Sequence, residues 1–144
     1  MLYLDASLLT SLITEEDRSS RVQRWFDEQD ADALVISPWC VTEVASALSV
    51  KERTGDLRSS DRARANGLMA AIAAEGVGMS DIVTADFEAA AGMCARADLA
   101  LRAGDALHLA IVRRLRATLH TLDEGQAAAA RALSIGAVIT VKKG

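Results

Sequence analysis

Aromatic residues, proline and cysteine are scarce in this chain of 144 residues, and their scarcity excludes several classes of protein. With two tryptophans, two phenylalanines and one tyrosine, the chain offers no evident set of stacking platforms for single-stranded nucleic acid. Its two cysteines, Cys40 and Cys94, have neither C-x-x-C nor metal-finger spacing, which favours reduced, packed thiols over a disulfide or a zinc finger. We therefore expect a core of aliphatic side chains.

The chain also lacks a long hydrophobic run. No stretch approaches the roughly 20 apolar residues of a membrane span, and the apolar stretch at the amino terminus is interrupted at Asp5 with no basic segment before it. Apolar residues make up 51% of the chain, enough at this length to fill one core. We expect a single domain over residues 1–144, located in the cytoplasm without membrane attachment.

An excess of positive charge is absent as well. The chain has 20 acidic and 16 basic residues, for a net charge of −4, and this balance counts against a general nucleic-acid-binding domain. Arginines nevertheless recur in clusters, namely Arg18, Arg21 and Arg24, Arg58, Arg62 and Arg64, and the densest one, Arg113, Arg114 and Arg116. Two interpretations stay open: solvated helix faces, or a rim that contacts an RNA backbone.

Short apolar runs alternate with amphipathic segments along the chain. The runs that predict strands are residues 2–5, 33–37, 77–83, 118–122 and 137–141, the third being the weakest. Helices are predicted at residues 7–14, 17–29, 39–53, 59–76, 84–97, 105–116 and 126–133. Continuous apolar strands separated by helices are typical of a parallel sheet covered on both faces. The predicted fold class is α/β, with three α/β/α layers around a mostly parallel sheet.

Four acidic residues stand where a charge is hard to place. Asp5 and Asp123 follow predicted strands, Asp105 opens an apolar helix, and Glu43 lies on the apolar flank of another helix. The carboxyl ends of parallel strands share one edge of a sheet, where open α/β folds place their sites. Carboxylates that converge there repel one another unless a cation or a proton lies between them. Because Mg²⁺ and Mn²⁺ prefer oxygen ligands, we predict that these residues form a site for one of these metals.

Each of these features also has a simpler interpretation. An aspartate before a helix is a favoured N-cap, worth roughly 1 kcal/mol, and this role suits all three aspartates. His108 lies one turn after Asp105 on an otherwise apolar helix, and we interpret it and His120 as structural residues, because the chain has no H-x-x-x-H pair. Cys40 lacks the surroundings of a thiol nucleophile, so buried packing is the better interpretation.

The order of these motifs resembles that of a known family, the PIN-domain ribonucleases, and among them the VapC toxins of toxin–antitoxin pairs. The motifs are, in chain order, LYLDASLL at residues 2–9, Glu43 in an apolar helix, RAGDALHLA at residues 102–110 and TLD at residues 121–123. The resemblance implies that Asp5 and Asp105 hold the metal directly and that Glu43 and Asp123 complete the acidic quartet. Ser7 and Thr121 match positions that support the site by hydrogen bonds.

The resemblance also implies a function. It implies a metal-dependent endoribonuclease that hydrolyses RNA to leave 5′ phosphate and 3′ hydroxyl ends, acting as the toxin of a type II pair, with a small cognate antitoxin and a toxin homodimer. One departure from the family pattern is Pro38-Trp39-Cys40 before Glu43, which leaves open where the third helix begins.

Two other classes remain as alternatives. A receiver-like, Mg²⁺-binding signalling domain needs an acceptor aspartate at the end of its middle strand, whereas Asp81 interrupts the third predicted strand. A PIN-like module that only binds a protein partner would be marked by the loss of an acidic residue, and none of the four is missing.

Overall fold

The structure, a computed structural model, describes residues 1–142 and contains one sheet. Five strands are present in this range: β1 (Leu2–Leu4), β2 (Leu34–Ile36), β3 (Gly78–Met79), β4 (Thr118–Thr121) and β5 (Ala137–Ile139). Their order is β3-β2-β1-β4-β5, and each neighbouring pair is parallel. The prediction of an α/β fold around a parallel sheet is confirmed.

Helices form every connection between these strands, as parallel pairing requires. The described range contains α1 (Ala6–Ile13), α2 (Ser19–Asp27), α3 (Pro38–Arg53), α4 (Ser59–Ala71), α5 (Thr84–Cys94), α6 (Ala103–Leu115) and α7 (Glu124–Ala132). A π-helical turn, Ile72–Gly76, extends α4, and short 3-10 turns occur at Ala31–Ala33 and Ala97–Leu99. Helix α1 packs against α2, α3 and α4, α5 packs against α6, and α7 packs against β4 and β5.

The third helix begins at Pro38, the first residue of α3. Proline is well suited to this position because its missing N–H would have no partner inside the helix. The Ser37 N–H just before the helix donates to the Cys40 thiol at 3.4 Å, and Cys40 is fully buried. The unusual Pro38-Trp39-Cys40 segment is therefore a helix start, and the interpretation of Cys40 as a packed thiol is confirmed.

Helix α6 is the central helix of the core. Every residue from Ala106 to Val112 is buried, including His108, so this helix has no solvent face along its middle. The large side chains buried with it come from the central strands and from α1 and α3, namely Tyr3, Leu4, Leu8, Leu9, Ile36, Leu48 and Leu119. Full burial of such side chains stabilises the fold by about 1.5–3 kcal/mol each, which holds the amino-terminal end of α6 in a fixed place at the sheet edge.

The strand order excludes the receiver-like alternative. Receiver-type sheets have the order 2-1-3-4-5, whereas here β4 and not β3 lies beside β1. The third strand is also shorter than predicted, covering only Gly78–Met79 at one edge of the sheet, and Asp81 lies outside it on the surface. Among the described residues, no helix has both the length and the apolar character that crossing a membrane requires.

Candidate metal centre

The four predicted acidic residues lie at one end of the sheet. Asp5 directly follows β1, Asp123 follows β4 after one intervening residue, Asp105 lies in the first turn of α6, and Glu43 lies in the second turn of α3. All four line the same cavity, which has a volume of about 540 Å³. The structure thus brings together, at the carboxyl edge of the sheet, residues that are far apart in the chain.

Asp5 is almost completely buried, and donors surround both of its carboxylate oxygens. Oδ1 accepts hydrogen bonds from the Ser7 hydroxyl at 2.7 Å and the Leu8 N–H at 3.0 Å, and Oδ2 accepts one from the Thr121 hydroxyl at 2.6 Å. Burial raises the pKa of Asp5, and His108 and these hydrogen bonds only partly offset the rise. Asp5 is also the N-cap of α1, so the simpler interpretation holds alongside its place in the cavity.

Asp105 is half-buried beside two other carboxylates. Burial raises its pKa, a backbone hydrogen bond with Arg102 lowers it, and the negative charges of Asp123 and Glu43 raise it further. The N-cap interpretation is wrong for this residue, because α6 begins two residues earlier, at Ala103, and its N-cap is Arg102. Its hydrogen bond with the N-cap residue Arg102 supports the start of α6, and its carboxylate also lies near those of Glu43 and Asp123.

Asp123 is exposed at the mouth of the cavity and caps α7. Its Oδ1 accepts a hydrogen bond from the Gln126 N–H at 2.9 Å, and its own N–H donates to the Thr121 hydroxyl at 2.9 Å. Thr121 therefore connects the two aspartates that follow β1 and β4, since its hydroxyl donates to Asp5. The supporting positions of Ser7 and Thr121, expected from the family resemblance, are occupied as that resemblance implies.

Glu43 enters the cavity from α3 and is held by His108, a contact that the sequence interpretation missed. His108 Nε2 lies 2.5 Å from Glu43 Oε2, and His108 Nδ1 lies 2.9 Å from the hydroxyl of Tyr3. Burial on its own lowers the pKa of His108, whereas the hydrogen bonds and negative charge of its neighbours, Cys40 and Glu43, raise it to about 10. His108 is a buried structural residue, as predicted, but it is also bonded to the site.

The donor set fits a hard divalent cation. The cavity combines four carboxylates with the hydroxyls of Ser7 and Thr10 and the amide of Gln126, and oxygen ligands of this kind suit Mg²⁺ or Mn²⁺. Among the side chains that the structure describes, no three His, Cys, Asp or Glu groups form a ready ligand cluster. Carboxylates that share a cavity repel one another, and a cation between them would relieve that repulsion.

The densest arginine cluster lies away from this cavity. Arg114 forms a bidentate ion pair with the buried Asp86, with Nε 2.8 Å from Oδ1 and Nη2 2.9 Å from Oδ2. It also donates a hydrogen bond to the Asp81 carbonyl. It is nine residues after Asp105 in the same helix, or about 13 Å along the axis. Arg113 reaches the carbonyl of Leu133 at 3.4 Å. The structure thus assigns Arg114 to the fold, which counts against the interpretation of this cluster as an RNA rim.

Two other arginines lie at the site itself. Arg18 lines the cavity of about 540 Å³ that contains all four carboxylates. Arg102 lines an adjoining cavity of about 640 Å³, which shares Glu43, Asp105 and Asp123 with the first. Trp39 also lines the adjoining cavity, so one aromatic side chain is present beside the carboxylates. The sequence signal for Arg18 was its helical spacing with Arg21 and Arg24, while Arg102 and Trp39 carried no signal beyond their proximity to Asp105 and Glu43.

Comparison with known proteins identifies the family. The family model described as the PIN domain matches residues 2–132, which is most of the chain and includes all four acidic residues. The chain belongs to the PIN-domain family. No curated protein is similar enough in sequence to this PIN domain to count as a match.

Solved structures with the same fold include toxins and toxin–antitoxin complexes. VapC20 of Mycobacterium tuberculosis, described as a Sarcin-Ricin loop cleaving toxin, has 17% identity and a TM-score of 0.71, over 99% of this chain and 100% of that one. FitAcB of Neisseria gonorrhoeae has 16% identity and a TM-score of 0.69, over 97% and 98%. A toxin–antitoxin complex from Klebsiella pneumoniae has 15% identity and a TM-score of 0.68, over 99% and 100%. At these identities the likeness shows the fold of this PIN domain.

Proposed function

We propose that this PIN domain is a metal-dependent endoribonuclease and the toxin of a type II toxin–antitoxin pair. The observation that carries the proposal is that Asp5, Glu43, Asp105 and Asp123 line one cavity at the carboxyl edge of the sheet in a PIN domain. VapC20, which has the same fold, is described as a Sarcin-Ricin loop cleaving toxin. The complete set of four acidic residues and the fold shared with VapC20 favour a nuclease over a module that only binds a protein.

In this proposal each acidic residue has a defined part. Asp5 and Asp105 hold Mg²⁺ or Mn²⁺ directly, and Glu43 and Asp123 complete the quartet. Ser7 and Thr121 keep the Asp5 carboxylate oriented through hydrogen bonds of 2.6 to 2.7 Å. When bound, such an ion activates a water for attack on the phosphodiester phosphorus and neutralises charge as the 3′ oxygen leaves. The products then carry 5′ phosphate and 3′ hydroxyl ends.

The arginines beside the cavity give an acidic protein its local attraction for RNA. Arg18 and Arg102 line the two adjoining cavities that contain the carboxylates, and we expect their side chains to contact phosphates near the cleaved bond. Phosphate contacts position a nucleic acid but carry little sequence information. We therefore expect the choice of RNA to depend on its shape and on the walls of the two cavities.

The test is RNA cleavage by the purified protein with Mg²⁺, with Mn²⁺ and in excess EDTA. We expect cleavage only with a divalent ion, and none with Asp5→Asn, which removes a ligand charge and leaves the side-chain shape nearly unchanged. Glu88→Gln, an exposed change of the same kind on α5, is the matched control and should remain active. Cleavage that persists in EDTA, or an Asp5→Asn protein with full activity, would contradict the proposal.

Partner and assembly follow from the same proposal. We propose a small antitoxin as partner and a toxin homodimer, in the cytoplasm, with residues 1–144 folded as one domain. The solved structure from Klebsiella pneumoniae with the same fold is described as a toxin–antitoxin complex, and this supports the partner. Coexpression with the product of the adjacent reading frame tests it: a cognate antitoxin should copurify and suppress cleavage, and a neighbour that does neither is not the partner.

A further inference from the structure

The Glu43 carboxylate is held from two sides before any ion is considered. On one side, Oε2 is hydrogen-bonded to His108 Nε2 at 2.5 Å. On the other side, Oε1 lies so close to the Cα of Gly104 that a Cβ at that position would overlap with it. Gly104 is the residue immediately before Asp105, so Oε1 lies at the start of α6, next to the residue that carries the Asp105 carboxylate. The Glu43 side chain is 29% exposed, and these two contacts limit its rotation.

A buried chain of hydrogen bonds holds His108 in turn. Its Nδ1 lies 2.9 Å from the Tyr3 hydroxyl, which lies 2.8 Å from Ser37 Oγ and 3.3 Å from Cys40 Sγ. His108, Tyr3, Ser37 and Cys40 are each almost completely buried. A ring with both nitrogens bonded in a close-packed core cannot flip or swing, so its Nε2 presents one direction only.

This chain joins the elements that carry three of the acidic residues. Tyr3 lies in β1, two residues before Asp5, His108 lies in α6, one turn after Asp105, and Cys40 lies in α3, one turn before Glu43. A displacement of one element relative to the others would break a buried hydrogen bond, at a cost of about 1–3 kcal/mol for each unsatisfied group. The spacing of the carboxylates is thereby tied to the core.

We propose that His108 is a positioning residue of the metal centre: with Gly104 opposite, it fixes the Glu43 carboxylate so that Oε1 faces the site before the ion binds. The proposal rests on the proposed function, because it takes Glu43 as part of the metal site. His108 acts through Glu43, because both of its ring nitrogens are already engaged, one by Tyr3 and one by Glu43. Partners behind a ligand typically change metal affinity by about 10- to 100-fold when they are replaced.

Gln and Asn, the two residues with an amide side chain, make a matched pair of replacements for His108. The amide nitrogen of Gln can replace Nε2, so His108→Gln keeps a donor for Glu43 and loses the bond to Tyr3. His108→Asn does the reverse, because the shorter side chain reaches Tyr3 but not Glu43. Both variants remove the same ring from the core, so a role in packing alone predicts a similar loss of stability and of metal binding in both.

The experiment measures the binding of Mn²⁺ alone, without RNA, by isothermal titration calorimetry, together with the melting temperature of each metal-free protein. We expect His108→Asn to weaken Mn²⁺ binding by about 10-fold or more and His108→Gln by less than about threefold, with similar melting temperatures. Equal weakening in both variants, or in neither, overturns the proposal. Wild-type protein that does not bind Mn²⁺ would instead remove the proposed function, and the inference with it.

Gly104→Ala gives a second perturbation, from the opposite side of the Glu43 carboxylate. The added Cβ would also lie 3.2 Å from Trp39 Cζ2, so the melting temperature of the metal-free variant is measured beside its Mn²⁺ affinity. Its added Cβ pushes Oε1 out of place and should weaken Mn²⁺ binding by about 10-fold or more. Unchanged Mn²⁺ affinity in a folded Gly104→Ala protein would show that the position of Glu43 does not matter for the ion.

Discussion

Replacing Asp5 by Asn is expected to stabilise the metal-free protein and to abolish its stabilisation by Mn²⁺. Asp5 is 3% exposed, and its pKa is raised because burial disfavours the charged form. Asn removes that charge with almost no change in volume, for a gain on the order of 1 kcal/mol, or roughly 2–4 °C in melting temperature. As an N-cap, Asn is about as favourable as Asp, so the start of α1 is retained.

The hydrogen bonds around Asp5 can accept this change. The Asn oxygen can still accept from the Leu8 N–H and from Ser7, at the positions now 3.0 and 2.7 Å away. The new amide group faces the Thr121 hydroxyl, which can turn its proton toward Gln126 Oε1 at 3.2 Å and accept from Asn. One N–H of the Asn amide is then paired with Thr121, and the second N–H, which has no counterpart in Asp, keeps the expected gain small.

The second quantity to measure is the stabilisation of the folded protein by Mn²⁺. Mn²⁺ at 100 times its dissociation constant stabilises the folded protein by about 2.7 kcal/mol, or roughly 5–11 °C, and this shift should be lost in Asp5→Asn. Differential scanning calorimetry in EDTA and then in Mn²⁺ measures both quantities. A metal-free variant less stable than wild type by more than about 1 kcal/mol, or one that keeps the full Mn²⁺ shift, would refute the reasoning.

The pH dependence of the same comparison has a defined sign. A raised pKa in the folded state means that the charge penalty of Asp5 is absent below its ordinary pKa of 3.8 and grows as the pH rises through the raised value. The stability difference between Asp5→Asn and wild type should therefore shrink toward zero below pH 3.8 and reach its full size only above the raised pKa of Asp5.

Three further predictions concern the fold. Arg114→Ala leaves Asp86 buried without its partner and should destabilise the protein by about 2–3 kcal/mol in urea unfolding, whereas Arg113→Ala should change stability by less than about 0.5 kcal/mol. Burial opposes ionisation of Asp86, but Arg114 lowers its pKa, so this stabilisation should be complete above pH 3.8 and lost as the pH falls further. Leu109→Ala should cost about 2–5 kcal/mol, and the exposed Leu68→Ala much less.

Much of the fold could be predicted from the sequence because its elements are locally marked. The strands that became β1, β2 and β4 are continuous apolar runs, and helix starts carry Asp5, Pro38 or Asp123. The third strand was overestimated, because Met79, Ile82 and Val83 suggested a longer strand. An edge strand makes few contacts, so only two of its residues are held in the sheet.

The acidic residues of the candidate site could be predicted from the sequence, but the hydrogen-bond partners that hold them could not. The placement of Asp5 and Asp123 after strands is a local signal, and topology then brings them together. The contact between His108 and Glu43 joins residues 65 positions apart and depends on how α3 and α6 cross, which no local pattern encodes. The ion pair of Arg114 could not be predicted for the same reason, since its partner Asp86 lies 28 positions away.

The pairing of β1 with β4 has a consequence for the time at which the protein can first act. Thr121 donates its hydrogen bond to Asp5 across 116 positions of the chain. Asp5 and Asp123, the first and last members of the acidic quartet, therefore come together only when β4 has paired with β1. During synthesis on the ribosome, Asp5 and Glu43 are added early, whereas Asp105 and Asp123 are added only when most of the chain has been made. Contacts of such long range are slow to form. In the proposed function, the acidic quartet is therefore incomplete until most of the chain has been synthesised and has folded.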